Sequence, residues 1–230
     1  MKKHVALAFS GGLDTSFCVI HLREQGYEVT TITVNTGGFS ADELKRIESQ
    51  SPKLGAKAHH TVDARAELFD RYLRYLIYGN VLRGNLYPLS VSAERVAQAA
   101  KVVAVAKQIG ATALAHGSTG AGNDQVRFDV GFRALAPELE LLTPIRTLAL
   151  SRAEERTYLK QHGFDFPEKT EHYSVNEGMW GTSVGGRETL NSWSTLPQSA
   201  FPGGEIDAVK LPPRELALAF KQGIPVSLNG

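Results

Sequence analysis

One cysteine in 230 residues excludes a disulfide framework and any cysteine-built metal site. It is Cys18, flanked by Phe17, Val19 and Ile20, where a small buried core residue is expected. Net charge is almost absent as well. A formal balance of +1 gives no field for non-specific nucleic-acid binding, so no nucleic-acid partner is expected. No apolar run approaches the ~20 residues of a membrane helix, so no membrane partner is expected. Met1-Lys2-Lys3-His4 leads straight into the first apolar run, so no signal peptide is expected either. None of the seven histidines sits in a metal-ligand spacing such as His-Glu-x-x-His, and no metal ligand is assigned. A cytoplasmic protein with a small-molecule partner is the expectation.

What is present is alternation. Val5 to Phe9 is a short apolar run, and Leu13 to Gln25 reads as a helix. Glu28 to Asn35 is β-branched and reads as a second strand. Ser40 or Asp42 caps a helix to about Ser51, Ala56 to Val62 is a third strand, and Asp63 caps a helix to about Tyr78. After an irregular stretch, 79–91, come a helix over Ser92–Gln108, a strand over Ala111–Ala115 and a strand over Leu139–Pro144. A helix over Ser151–His162 closes the series, with Ser151 and Glu154 forming a capping box. Strands alternating with helices predict an α/β fold, a doubly wound parallel sheet with helices on both faces. From Phe164 onward the pattern shifts to Gly, Pro and Ser, with short strands at 205–211, 216–220 and 225–228. This is read as the start of a second, smaller α+β domain, dividing the chain at 1–165 and 166–230.

Ligands in such sheets sit at the carboxyl ends of strands, and three polar stretches fall there: 10–16, 36–38 and 116–124. In Ser10-Gly11-Gly12-Leu13-Asp14-Thr15-Ser16 a glycine turn opens a helix, so the backbone approaches an anion closely and free first-turn N–H groups meet it. Ser10, Thr15 and Ser16 add hydroxyls. No Gly-Lys-Ser/Thr follows, so this is not a Walker A loop, and the third glycine of the dinucleotide fingerprint is missing. In the second cluster, His116 to Phe128, Asn123 or Asp124 starts a helix. Arg127 is spaced to reach the same pocket, where its planar fork suits a carboxylate, and Asp124 suits an ammonium group. His116 is expected at the floor of the site and the other histidines are read as structural or surface residues. By itself each loop also fits a capped turn with a surface ion pair.

These segments carry a family resemblance. Residues 10–16 resemble the SGG-L-D-[ST]-S pyrophosphate loop of the N-type ATP pyrophosphatases, whose fold is adenine nucleotide α-hydrolase-like. His116-Gly117-Ser118-Thr119-Gly120-Ala121-Gly122-Asn123-Asp124-Gln125-Val126-Arg127-Phe128 resembles the signature of the argininosuccinate synthase family. Tyr173-Ser174-Val175-Asn176-Glu177-Gly178-Met179-Trp180 is similar to that family's Tyr-Ser-x-x-Glu-Asn-x-Trp segment. The resemblance implies ATP-dependent joining of citrulline and aspartate through a citrullyl-adenylate, with ATP and Mg2+ as cofactors and a homotetrameric assembly.

Carried over by matched position, the ATP site is Ala8, Phe9, Ser10, Gly11, Gly12, Leu13, Asp14, Thr15, Ser16, Val34 and Gly117, with Val34 contributing backbone. Aspartate falls to Thr119, Asn123 and Asp124. Citrulline falls to Tyr87, Ser92, Asn123, Arg127, Ser174 and Ser183. No covalent nucleophile is implied, and Asp14 and Asp124 take positioning roles. The sequence departs from the family at Ala93-Glu94-Arg95, where Ala-Arg-Pro is usual, at Ala121, where lysine is usual, and at Gly185-Gly186-Arg187-Glu188. Family members are also longer, which suggests a truncated chain. Two alternatives stand beside this reading. A non-catalytic nucleotide-binding homologue needs no amino-acid site, which the 116–128 cluster argues against. A tRNA-thiolating enzyme of the same fold needs an exposed, activated thiol, for which the chain offers only Cys18.

Overall fold

The computed structural model describes residues 3–120, 123–166, 173–201 and 212–230. In order the elements are β1 (His4–Ala8), α1 (Leu13–Glu24), β2 (Glu28–Asn35), α2 (Ala41–Lys53), β3 (Ala58–Asp63), α3 (Arg65–Leu68), a π-helical turn (Phe69–Leu73) and α4 (Arg74–Tyr78). There follow α5 (Ser90–Gln108), β4 (Ala113–Ala115), α6 (Asp124–Leu135), β5 (Glu140–Leu142), α7 (Pro144–Leu148) and α8 (Arg152–Gln161). Two antiparallel hairpins complete the chain, β6 (Tyr173–Gly178) with β7 (Gly181–Gly186) and β8 (Leu218–Lys221) with β9 (Ile224–Leu228).

The first five strands form one parallel sheet in the order β3-β2-β1-β4-β5. Side chains of β1 point alternately to two cores, as the two-residue period of a strand requires. Val5, Leu7 and Phe9 pack with Phe17, Val19, Ile47 and Leu159 from α1, α2 and α8. Ala6 packs on the opposite face with Val102, Val103, Phe128 and Phe132 from α5 and α6. A strand covered on both sides cannot carry polar groups unless they are bonded. The buried threonines of β2 obey this. Thr31 Oγ1 meets Ser51 Oγ at 2.6 Å and His59 Nδ1 at 2.8 Å, and Thr33 Oγ1 donates to the Phe9 carbonyl at 2.7 Å. The doubly wound α/β reading therefore holds, and Cys18 lies fully buried in the first core.

Several boundaries differ from the sequence reading for local reasons. The stretch read as one helix up to Tyr78 has Ala64 as its N-cap and is interrupted by the π turn. Asp63 still accepts the Arg65 N–H at 3.0 Å. Helix α5 begins at Ser90 rather than Ser92, because Leu89 turns left-handed (φ 58°) and the Tyr87 hydroxyl accepts the Val91 N–H at 3.1 Å. The expected strand over 139–144 ends at Leu142, and Pro144 instead opens helix α7, where its missing N–H costs nothing. The capping box at Ser151 and Glu154 is present, and a second one joins Ser40 to Glu43. The strand expected over 205–211, His172 and the Ala121 departure lie outside the described residues.

Candidate active site

The strand order places β1 beside β4, and there the chain reverses its direction of winding. The crevice at such a reversal is where an open α/β sheet receives ligands. Its two walls are the loop after β1, residues 9–12, and the described part of the loop after β4, residues 116–120 and 123. They touch: a Cβ added to Gly117 would stand 3.0 Å from Thr15 Cγ2 and 3.3 Å from the Thr15 backbone nitrogen. A side chain here would press on the first turn of α1, and glycine lets the second loop lie this close without displacing it.

Helix α1 starts at Gly12 with no side-chain cap, so its first-turn N–H groups are left for another partner. Gly11 supplies the preceding turn (φ +69°), and a Cβ there would meet Ile47 Cγ1 at 2.8 Å. Ser10 Oγ accepts the Gly12 N–H at 3.4 Å and lies 3.2 Å from Thr15 Oγ1, bringing two hydroxyls to the mouth of the loop. Ser16 departs from the expected set. Its side chain is fully buried and its Oγ accepts from Gln50 Nε2 at 3.1 Å, which aims it at α2 and not at the crevice. Val34 is also buried in the second core, so backbone is what it has to offer a ligand.

Asp14 has a neighbour that spacing does not reveal. Glu155 of α8, only 1% exposed, is in hydrogen-bond contact with it. Burial, reinforced by the Asp14 charge, pushes the Glu155 carboxyl up to about 8. A carboxyl buried beside another carboxylate resists ionisation. The arrangement gives the glycine loop an acid that donates to Asp14 from below. Cys18 lies beneath the same pair, where burial raises its thiol far above the range of a nucleophile.

The second wall is rich in guanidinium. Arg127 Nη1 donates to Asp124 Oδ1 at 2.8 Å and Nη2 donates to Ser92 Oγ at 2.9 Å. Arg95 Nε donates to Asp124 Oδ2 at 3.1 Å, so both oxygens of Asp124 are held. The Arg127 fork is thus shared between Asp124 and Ser92, where the sequence reading had it free for a ligand carboxylate. Arg95 also donates through Nη2 to Asn176 Oδ1 at 2.9 Å, which ties hairpin β6–β7 to the same group. Ser183 pairs with Asn176 across that hairpin, and the Ser174 backbone pairs with Gly185. Tyr87 is half-buried, its hydroxyl engaged in the first turn of α5 by the N–H of Val91, one residue before Ser92. Thr119 and Asn123 are exposed on the rim.

His116 holds the base of this wall. The Ser118 N–H donates to its Nδ1 at 3.2 Å, leaving Nε2 to donate to Asp129 Oδ1 at 2.8 Å, and Arg146 grips the other Asp129 oxygen at 2.8 Å. Burial lowers the imidazole pKa despite Asp129, so the ring is neutral and serves as a fixed strut. The structure therefore brings together Gly117, Thr15, Ser10 and Asp14 on one side and Ser92, Asp124, Arg127 and Asn176 on the other. Glu155 escaped the sequence reading, while Arg95 stood there only as a departure from the family and Asn176 only as part of a matched segment, neither with a role. An arginine and a glutamate on amphipathic helices look like solvent-facing residues until their packing is known.

Among known families, residues 4–165 match the arginosuccinate synthase N-terminal HUP domain. The argininosuccinate synthase of Methanocaldococcus jannaschii is 38% identical over 231 residues, covering 100% of this chain and 58% of that protein. That of Pyrobaculum aerophilum is 41% identical over 229 residues, covering 98% of this chain and 57% of that protein. The chain thus spans somewhat under three fifths of the length of these curated relatives. Among solved structures, a 4-thiouridine synthetase–RNA complex with bound ATP superposes with a TM-score of 0.50 at 15% identity. It covers 70% of this chain and 41% of that one, a likeness of fold.

Proposed function

From the premise that this chain belongs to the argininosuccinate synthase family, we propose that it joins citrulline to aspartate at the expense of ATP. The observations that carry the reading are an uncapped glycine loop touched by Gly117 and an Asp124–Arg127 pair, bonded to Ser92, on the helix that follows Gly117. One wall suits a polyphosphate and the other suits molecules bearing both ammonium and carboxylate groups.

In this reading Ala8 to Thr15 and Gly117 receive the triphosphate, Ser16 being turned to α2, and Val34 contributes backbone beside the adenine. Thr119, Asn123 and Asp124 receive aspartate. Tyr87, Ser92, Asn123, Arg127, Ser174 and Ser183 receive citrulline. The citrulline ureido oxygen attacks the α-phosphate, the bond to the β-phosphate breaks and pyrophosphate leaves. The aspartate amine then adds to the activated carbon, loses a proton and displaces AMP. Negative charge grows on the departing pyrophosphate, where the free N–H groups of α1 stabilise it. No side chain is asked to form a covalent bond, and positioning supplies most of the acceleration.

A magnesium ion supplies charge neutralisation at the phosphates. The described residues contain no cluster of three or more His, Cys, Asp or Glu that would cage a metal. Ser10, Asp14 and Thr15 of the glycine loop would be the residues to offer oxygens to such an ion. We assign residues 1–165 to the nucleotide domain and 166–230 to part of a second one, in a cytoplasmic homotetramer.

Pyrophosphate release tests the reading. Release requiring citrulline, with argininosuccinate formed once aspartate is added, is the expected result. Release independent of both amino acids would refute it. Asp124→Ala should raise the aspartate KM by about 100-fold, the scale of a lost charge-assisted contact, while ATP binding changes little. Equal losses for both would remove Asp124 from the aspartate site.

A further inference from the structure

Glu94 is 3% exposed and belongs to none of the groups assigned above. It lies on the face of α5 that meets the turn of hairpin β6–β7. Its carboxyl is within hydrogen-bonding reach of the Thr36 hydroxyl, at the end of β2, and of the Trp180 backbone N–H, in the hairpin turn. Its Oε1 is buried with no partner. The room for it comes from Gly178, where an added Cβ would fall 1.8 Å from Oε1 and 2.4 Å from the carboxyl carbon. Gly38 makes a matching approach from the other side, where a Cβ would fall 2.1 Å from the Glu177 carbonyl oxygen.

Around this point the hairpin turn is held at two further places. Trp180 Nε1 donates to the Pro88 carbonyl at 3.0 Å, and Arg95 reaches Asn176. Thr36 also accepts from Gln98 Nε2 at 3.1 Å, so α5 grips the β2 loop and the hairpin at once. Burial, offset in part by the Arg95 charge, pushes the Glu94 carboxyl up to about 7. A buried acid with an unpartnered oxygen is costly unless it fixes something.

We propose that Glu94 is a positioning residue whose carboxyl, lodged against Gly178, seats hairpin β6–β7 on the loop after β2 and so sets where Ser183 and Asn176 stand. The link to citrulline rests on the function proposed above; the seating itself does not. Glu94 touches neither substrate in this scheme. It acts through the hairpin, and its loss should separate citrulline affinity from ATP affinity.

The test is a mutant cycle in the full chain carrying Trp193→Phe. Trp193 is 94% exposed, so its removal leaves Trp180 as the reporter. Gly178→Ala forces the carboxyl out. Acrylamide quenching of Trp180 should rise, and the citrulline KM should rise roughly tenfold while the ATP KM stays within about twofold. Glu94→Ala with Gly178→Ala vacates the space for the methyl group and should return both readouts most of the way. Glu94→Gln, which keeps the shape, should leave both near native values. The seating is overturned if Gly178→Ala leaves Trp180 as protected as before, or if the double variant is no better than the single. Its role in positioning is overturned if citrulline and ATP KM rise together. A native chain with no citrulline-dependent turnover would defeat the synthase reading alone, with quenching across the cycle still deciding the seating.

Discussion

Strands β1 and β9 are each five residues long and mostly apolar, yet they live in different surroundings. Val5, Ala6 and Leu7 are wholly buried, with a parallel neighbour on each edge and helices over each face. In the β8–β9 hairpin Leu218, Phe220, Val226 and Leu228 are each more than half exposed, and among the described residues each strand has a single partner. Apolar composition alone does not make a core residue; position in the sheet does. Stability is therefore expected to concentrate in residues 3–166 and to thin toward the second hairpin, and the crevice is built where it is concentrated.

The strongest way to break this contrast is Leu7→Ala. It should cost about 2–5 kcal/mol and lower the melting midpoint accordingly, as read by denaturant and thermal unfolding. A smaller effect tests whether the buried region is uniformly favourable. The Glu155 carboxyl stands at about 8 in the folded chain against an ordinary 4.5. Between those values the folded state keeps a proton that the unfolded state has released. Stability from this group is complete below 4.5 and is lost as pH rises to about 8. Glu155→Gln, which donates to Asp14 without ionising, should therefore raise the midpoint at pH ~8.5 by roughly 2–4 °C more than at pH ~6. An equal gain at both would show that burial does not hold the Glu155 carboxyl above its ordinary range. The smallest effect is expected at the exposed end, where Phe220→Ser should change stability by no more than about 0.5 kcal/mol. Hydrogen exchange sharpens the same comparison, with the slowest amides in β1 and β2 and the fastest in β8 and β9.

Much of the nucleotide half was legible because its signals are local. β-branched residues set β2 at 28–35, and Ser151 with Glu154 marked the start of α8. Glycine-flanked polar runs marked both walls of the crevice. Less legible were features that arise only when distant segments meet. Pro144 resembled the end of a strand because its role as a helix opener depends on where β5 stops. Hairpin β6–β7 escaped because glycines at 178, 181, 185 and 186 carry little strand propensity, and its packing against α5 holds it. The burial of Glu94 and Glu155 was not legible, for the reason that makes these residues informative. A glutamate on a helix is normally solvated, and only tertiary contacts reveal that these two are not.

The Asp124 cluster also carries an order of assembly. Its partner Arg127 is three residues along the same helix, available as soon as α6 forms. Arg95 comes from 29 residues away, and the Arg95–Asn176 contact closes a span of 81. Loop-closure entropy grows with span, so these three contacts should form in that sequence during folding. The aspartate wall would then exist before the hairpin arrives. A chain caught midway would bind nucleotide at its glycine loop and lack its citrulline side, and pulse-labelled hydrogen exchange would find β1 and α6 protected ahead of β6 and β7.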